Sequence, residues 1–166
     1  MKNSIKAKTI VKVLLCVIWL SFIFYNGTRQ GEVSQKSSNE VIKVAGMVMK
    51  VPEDTIAKPN IQFSNLNFYV RKNAHFFQYF IFSIFLCVAI RNFKLYKTTK
   101  IFLVLFLLLF FPVLDEFIQK YVPGRTSNVF DIIIDFSGGT LAMILSSISY
   151  KFSCQFNKKK QVVKSK

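Results

Sequence analysis

The stretch Val129–Tyr150 reads VFDIIIDFSGGTLAMILSSISY, and it decides the fold class of the chain. It is apolar apart from two aspartates, a few small hydroxyl residues and a pair of glycines. A helix needs roughly 20 residues to cross a bilayer, so this stretch predicts a membrane-spanning helix. A carboxylate inside such a helix costs at least about 2.5 to 3.5 kcal/mol unless it is paired. Asp131 and Asp135 are therefore unlike ordinary surface acids.

Three further apolar runs precede this stretch, at Val13–Tyr25, Ala74–Ile90 and Ile101–Leu114. The second is long enough to cross a bilayer, and the first and third are long enough if their polar flanks extend the helix. The sequence thus predicts an all-α, polytopic membrane protein forming a single domain over 1–166. Its four transmembrane helices are expected at about 9–26, 74–90, 101–118 and 129–150, with a long extracellular segment between helices one and two.

The composition agrees with this class. Hydrophobic residues make up 52% of the chain, and charged residues 19%, against roughly 25% charged in a typical soluble domain. This excludes a disordered chain, a coiled coil and a disulfide-rich scaffold. The three cysteines, Cys16, Cys87 and Cys154, have no metal-binding spacing and are interpreted as small hydrophobic residues.

The basic residues predict the orientation. Of the 23 lysines and arginines, 14 lie before the first run, between the second and third runs, or in the tail 151–166, and none of the eight acids lies there. Because cytoplasmic loops collect lysine and arginine, both termini are expected in the cytoplasm of a multi-pass cell-membrane protein. The net charge of +15 then meets anionic membrane lipids, and no nucleic acid is expected as a partner.

Three details concern the first helix and the segment between it and helix two. The first run follows four lysines but has no small-x-small cleavage site after it, so we interpret it as an uncleaved signal anchor. Val41–Val51 has apolar residues at helical spacing, which predicts a short helix either on the outer membrane surface or packed on the bundle. Helix two is expected to begin near Asn65.

Polar residues form three clusters that the predicted topology brings to the outer end of the bundle. The clusters are Arg71-Lys72 with His75, Gln78 and Tyr79; Asp115-Glu116 with Gln119 and Arg125; and Asp131 with Asp135, followed by Gly138-Gly139. Residues three or four positions apart share a helix face. Glycines in a membrane helix allow another helix to approach closely.

Three interpretations of these clusters remain open. The basic residues could neutralise the acids in a purely structural network. The clusters could instead bind a ligand or a lipid headgroup. One histidine with several carboxylates could also hold a hard cation or supply acid and base groups, which makes His75, Asp115, Glu116, Asp131 and Asp135 catalytic candidates. The chain has no HExxH, P-loop or GxSxG signature, and the sequence assigns neither a metal nor a cofactor.

Several motifs over about residues 10–150 also resemble a known family. They are Phe24-Tyr25-Asn26-Gly27, Arg71-Lys72-x-x-His75-Phe76-x-x-Tyr79, Asp115-Glu116-x-x-Gln119, Pro123-Gly124-Arg125 and Asp131-x-x-x-Asp135-x-x-Gly138. Their order and spacing resemble the VanZ-like family. The resemblance implies a small membrane protein of Gram-positive bacteria, associated with lowered susceptibility to teicoplanin and other glycopeptides or lipoglycopeptides. The chain departs from the family pattern at Gln78, where a glutamate is usual.

The leading hypothesis is an outward-facing polar pocket that acts on a lipid-linked molecule. The expected ligand-binding residues are Arg71, Lys72, His75, Tyr79, Gln119 and Arg125. The arginines and the lysine would hold an anionic group, and His75 would carry a proton because its reference pKa lies near neutrality. Expected partners are membrane lipids and a lipid-linked cell-wall precursor or lipoglycopeptide. The rivals are a membrane hydrolase or transferase acting on lipid headgroups or phosphate groups, and a non-catalytic scaffold.

Overall fold

Four long helices make up the described part of the chain. The structure is a computed structural model, and it describes residues 2–29, 61–125 and 127–164, with isolated positions at 36, 40 and 44. The helices are α1 (Lys2–Thr28), α2 (Ile61–Ile90), α3 (Lys97–Gln119) and α4 (Val129–Lys164). No strand occurs within these ranges, so the predicted all-α fold class is confirmed.

Each helix contains a segment long and apolar enough to cross a membrane. The segments are Ala7–Thr28, Phe68–Ile90, Lys97–Gln119 and Val129–Lys151. Most side chains in them point away from the protein, and α1 is the least buried of the four. Apolar side chains that stay exposed along helices of this length are typical of contact with lipid. The four predicted membrane-spanning helices are therefore confirmed.

The helices extend beyond the apolar runs. Helix α2 begins at Ile61 rather than near Asn65, and α4 continues past the apolar run to Lys164. Hydropathy marks only the part of a helix that suits the bilayer core, whereas backbone hydrogen bonding continues through polar residues outside it. The predicted surface helix at 41–51 lies outside the described residues.

The packing of helix α4 on α2 is the most extensive helix contact in the described structure. Two glycines in α4 allow the helices to come this close. A Cβ atom on Gly138 would overlap the backbone oxygen of Phe76 in α2. A Cβ on Gly139 would lie 2.7 Å from a methyl carbon of Leu108 in α3. The expectation that this glycine pair permits close helix approach is confirmed.

The hydrophobic core lies between α1, α2 and α3. Its buried members are Cys16, Ile23, Tyr79, Phe82, Leu86, Ile90, Val104 and Leu108. Trp19 joins α1 to α2, because its indole N–H donates a 2.9 Å hydrogen bond to the backbone oxygen of Gln78. Cys16 is buried and Cys87 half-buried, both as free thiols, which agrees with their interpretation as small hydrophobic residues. The side chain of Cys154 lies outside the described part.

Candidate functional site

The polar residues predicted from the sequence come together at one end of the bundle. There the carboxyl ends of α1 and α3 meet the middle of α2 and the start of α4. We call this region the polar site. Its members are Lys72, His75 and Tyr79 of α2, Asp115, Glu116 and Gln119 of α3, Arg125 of the following loop, and Asp131 and Asp135 of α4.

Arg125 ties the α3–α4 loop to the end of α1. Its Nη2 donates to the backbone oxygen of Asn26 at 2.7 Å, and its Nε donates to that of Arg29 at 3.0 Å. Its Nη1 donates to Oε1 of Gln119 at 2.8 Å. Burial lowers the pKa of Arg125, and the charge of Arg71 acts in the same direction. The guanidinium therefore braces three parts of the chain through neutral oxygen acceptors.

Gln119 connects Arg125 to Asp115 through hydrogen bonds. Its Nε2 donates a 3.0 Å hydrogen bond to Oδ2 of Asp115, one helical turn earlier. Asp115 is 1% exposed, and a Cβ atom on Gly27 would overlap its Oδ1. Gly27 thus gives the Asp115 carboxylate the space it occupies beside α1. The position of this buried acid is set by α1 on one side and by the Gln119–Arg125 pair on the other.

Two other acids have one partner each, although Oε1 of Glu116 is also buried without a hydrogen-bond partner among the described residues. Asp131 forms an ion pair with Lys72, which joins α4 to α2. Oε2 of Glu116 accepts a 2.9 Å hydrogen bond from the backbone N–H of Asn128, just before α4 begins. The structural-network interpretation therefore holds for the Lys72–Asp131 pair.

The remaining acids converge on the only histidine in the chain. Nδ1 of His75 lies 3.5 Å from Oδ1 of Asp135, which is at the outer limit for a hydrogen bond. Each of His75, Asp115 and Asp135 offers one potential ligand atom, and these atoms all lie within 4.8 Å of one another. We call these three residues the acidic–histidine group. It is the arrangement in the polar site that could hold a metal ion.

Several buried polar atoms of this group have no hydrogen-bond partner among the described residues. They are both carboxylate oxygens of Asp135, Oδ1 of Asp115 and Nδ1 of His75. Asp135 is fully buried. A buried polar group left without a partner costs about 1–3 kcal/mol, and more when it is charged. Native proteins satisfy most such groups, so these atoms call for a bound species or a proton.

Tyr79 lies next to the acids of the polar site. Its ring is fully buried, and its hydroxyl oxygen has no hydrogen-bond partner in the described structure. The hydroxyl lies within electrostatic reach of Asp115 and Asp135. Arg71 is half-buried at the edge of the site, within electrostatic reach of Arg125. Gln78 contributes its backbone oxygen to the bond with Trp19.

Sequence reasoning missed the contribution of the α1 terminus. Asn26 and Arg29 act through backbone oxygens, which carry no side-chain signature. Gly27 was part of a recognised motif, but its contact with Asp115 depends on how α1 packs against α3. The sequence feature that could have indicated this contact was Gly27, a glycine at the end of an apolar run.

A second polar region lies at the opposite end of the bundle. A cavity of about 460 Å³ there is bordered by Arg91, Lys97, Lys100 and Lys151. Arg91 is fixed over the ring of Tyr150 at 4.6 Å, and its Nη2 donates to the backbone oxygen of Ser146 at 2.9 Å. This end is basic, whereas the polar site at the other end holds the buried acids.

The fold and the site together define a class: a polytopic membrane protein of four helices with buried carboxylates and a histidine at one end of the bundle. The family model described as VanZ/LLP1 matches residues 12–150, most of the chain. The protein therefore belongs to the VanZ/LLP1 family, which confirms the resemblance seen in its motifs. No curated protein and no solved structure matches the chain.

Proposed function

We propose that this membrane protein acts at the outer leaflet through its polar site and modulates the cell envelope. The distribution of lysine and arginine supports an orientation with both termini in the cytoplasm. In that orientation the carboxyl ends of α1 and α3, and the polar site with them, face outward. The basic cavity at Arg91 then faces the anionic headgroups of the inner leaflet.

The observation that carries the proposal is Asp135, a fully buried acid with neither carboxylate oxygen hydrogen-bonded among the described residues, next to Asp115, whose Oδ1 is also buried without a partner there. A network that served only the fold would pair its acids, as Lys72 does with Asp131. Asp135 instead has two oxygens without a hydrogen-bond donor in the described structure. Charged groups kept inside membrane helices at such a cost are functional sites by default.

The proposed outcome for the cell is lowered susceptibility to teicoplanin and related lipoglycopeptides. Support comes from membership of the VanZ/LLP1 family and from the location of the site at one end of the helix bundle. The target would be a lipid-linked cell-wall precursor or the lipid anchor of the antibiotic. Lys72 and Arg71, at the rim of the site, would attract its anionic group.

A second candidate function is a membrane enzyme, a hydrolase or transferase acting on lipid headgroups or phosphate groups. The acidic–histidine group favours it, because a histidine beside two carboxylates can move protons or bind a metal. This candidate predicts product formation by the purified protein. The proposal of a binding site without chemistry predicts none.

The test is the minimum inhibitory concentration of teicoplanin in a susceptible Gram-positive host. The host carries empty vector, wild type, His75→Ala, Asp135→Asn, or the control Asn92→Ala, which lies at the other end of the bundle. Membrane abundance is measured by immunoblot for each strain. We expect a rise with wild type and the control, and loss of that rise in both site variants at equal abundance. If the minimum inhibitory concentration does not rise although wild type is abundant in the membrane, the resistance role is wrong. If the site variants lose membrane abundance and resistance together, the result favours a non-catalytic scaffold.

A further inference from the structure

We propose that His75, Asp115 and Asp135 bind one divalent transition-metal ion, with Zn²⁺ as the best match. The inference rests on the proposal that the polar site is functional, and it names what the site holds. The three residues come from three different helices, so the ion would join α2, α3 and α4 at one point.

Geometry supports the ligand set. The three potential ligand atoms lie within 4.8 Å of one another. Around a zinc ion bound at about 2.0–2.2 Å, neighbouring ligand atoms sit roughly 3.4 Å apart. The group would therefore contract modestly on binding, by side-chain rotation on helices that already face one another. The 3.5 Å separation of His75 and Asp135 is already close to the bound spacing.

Charge balance supports a divalent ion. Lys72 pairs with Asp131, and the hydrogen bonds described for Arg125 go to neutral oxygens. Among the described residues neither Asp115 nor Asp135 forms an ion pair with a lysine or arginine, although Arg125 and Lys72 lie within electrostatic reach of them. A 2+ ion with two carboxylates and a neutral imidazole forms a neutral unit, which removes the cost of two buried charges.

The unpartnered atoms support the same conclusion. Nδ1 of His75 and both oxygens of Asp135 are buried without a hydrogen-bond partner in the described structure. These are the atom types that a zinc ion accepts as ligands. A magnesium ion would prefer oxygen ligands and water throughout, so the imidazole favours zinc over magnesium.

Neighbouring residues orient the proposed metal ligands through hydrogen bonds. Metal-binding carboxylates are usually held by further hydrogen bonds that fix their orientation. Gln119 holds Oδ2 of Asp115 at 3.0 Å, and Arg125 in turn holds Gln119 at 2.8 Å. The side chain of His75 is 14% exposed while that of Asp135 is fully buried, so the ion has an entry path on the histidine side. Three protein ligands leave a fourth position for water or for an oxygen of a ligand.

The experiment measures Zn²⁺ binding to the purified full chain in detergent micelles. The protein carries an affinity tag without histidines and has Cys16, Cys87 and Cys154 changed to serine, so that neither tag nor thiol binds zinc. The ion is removed with a chelator, and binding is followed by calorimetry and by elemental analysis after dialysis. Mn²⁺ and Mg²⁺ are measured in parallel.

We expect one Zn²⁺ per chain, at least tenfold weaker binding in each of His75→Ala, Asp115→Asn and Asp135→Asn, and weak binding of Mg²⁺. The control is Ser137→Ala, which removes an exposed hydroxyl of α4 that donates to the backbone oxygen of Ile134 in the same helix, and it should keep wild-type affinity. Circular dichroism and gel filtration check that each variant is folded. Absence of saturable binding to wild type overturns the inference, as does equal binding by all folded variants.

This result is separable from the resistance assay. Zinc binding without any change in teicoplanin susceptibility would sink the proposed function and leave the metal site standing. Resistance in cells, with no metal bound to the pure protein, would support the proposed function and overturn the metal site. Absence of zinc from the wild-type protein overturns the inference even if every site variant fails to fold.

Discussion

Nδ1 of His75 in α2 lies 3.5 Å from Oδ1 of Asp135 in α4, and neither atom has a hydrogen-bond partner in the described part of the chain. The pair spans the most extensive helix contact of the bundle. Lys72 lies within electrostatic reach of Asp135, but its ion pair is with Asp131. The neighbouring residues hold this pair and Asp115 in place.

Gly27→Ala should move the Asp115 carboxylate without unfolding the bundle. The added methyl group would overlap Oδ1 of Asp115, which is the end of a side chain and can rotate away. We expect the teicoplanin resistance conferred by wild type to fall at normal membrane abundance. The control is Thr28→Ala, an exposed neighbour whose hydroxyl donates to the backbone oxygen of Tyr25 in its own helix. Unchanged resistance in Gly27→Ala would show that the position of Asp115 does not matter.

Arg125→Lys should destabilise the protein by about 2 kcal/mol, because a lysine cannot reproduce three hydrogen bonds in one plane. The arginine holds Asn26, Arg29 and Gln119 together. The measurement is the Tm in detergent, followed by the fluorescence of Trp19, the one tryptophan of the chain, which reports the contact of α1 with α2. A loss of this size corresponds to a fall in Tm of roughly 4–8 °C.

The control for this substitution is Lys120→Arg, which exchanges the same two residue types at an exposed position. It should leave the Tm within about a degree of wild type. A Tm for Arg125→Lys equal to that of the control would contradict the bracing role assigned to the guanidinium.

Gly138→Ala should be more harmful than Gly139→Ala, although the two glycines are adjacent. A methyl group on Gly138 would overlap the backbone oxygen of Phe76, which can move only if α2 moves. A methyl group on Gly139 would meet the side chain of Leu108, which can change rotamer. Overpacking typically costs about 1–3 kcal/mol, so we expect the Tm of Gly138→Ala to fall by several degrees and that of Gly139→Ala by less. Equal Tm values would mean that α4 is not held this closely against α2.

Sequence patterns predicted the fold and the members of the site for identifiable physical reasons. The bilayer requires long apolar helices, so Val129–Tyr150 and its counterparts were visible as runs. A carboxylate such as Asp135 inside a run is costly and therefore conspicuous. The glycine pair at 138 and 139 correctly predicted a close helix approach.

The pairing of the charges could not be predicted in the same way. Which base meets which acid depends on helix rotation and on the angle of packing, and hydropathy constrains neither. The hydrogen bonds from Arg125 to the neutral oxygens of Asn26, Arg29 and Gln119 could not be foreseen from the sequence, and the expectation that Arg125 holds an anionic group stays a prediction. The start of α2 at Ile61 was missed because polar residues extend that helix beyond its apolar run.

The central claim is that the buried acids serve a ligand and are not braces of the fold. The most direct test is the Tm of Asp135→Asn against wild type, both in chelator and followed by Trp19 fluorescence. Removing a buried charge that lacks a lysine or arginine partner should stabilise the fold by about 1–3 kcal/mol. We predict a variant Tm at least 2–4 °C above that of wild type, by the usual scaling for this size. A variant Tm below that of wild type would show that Asp135 holds the bundle together, and it would contradict the account.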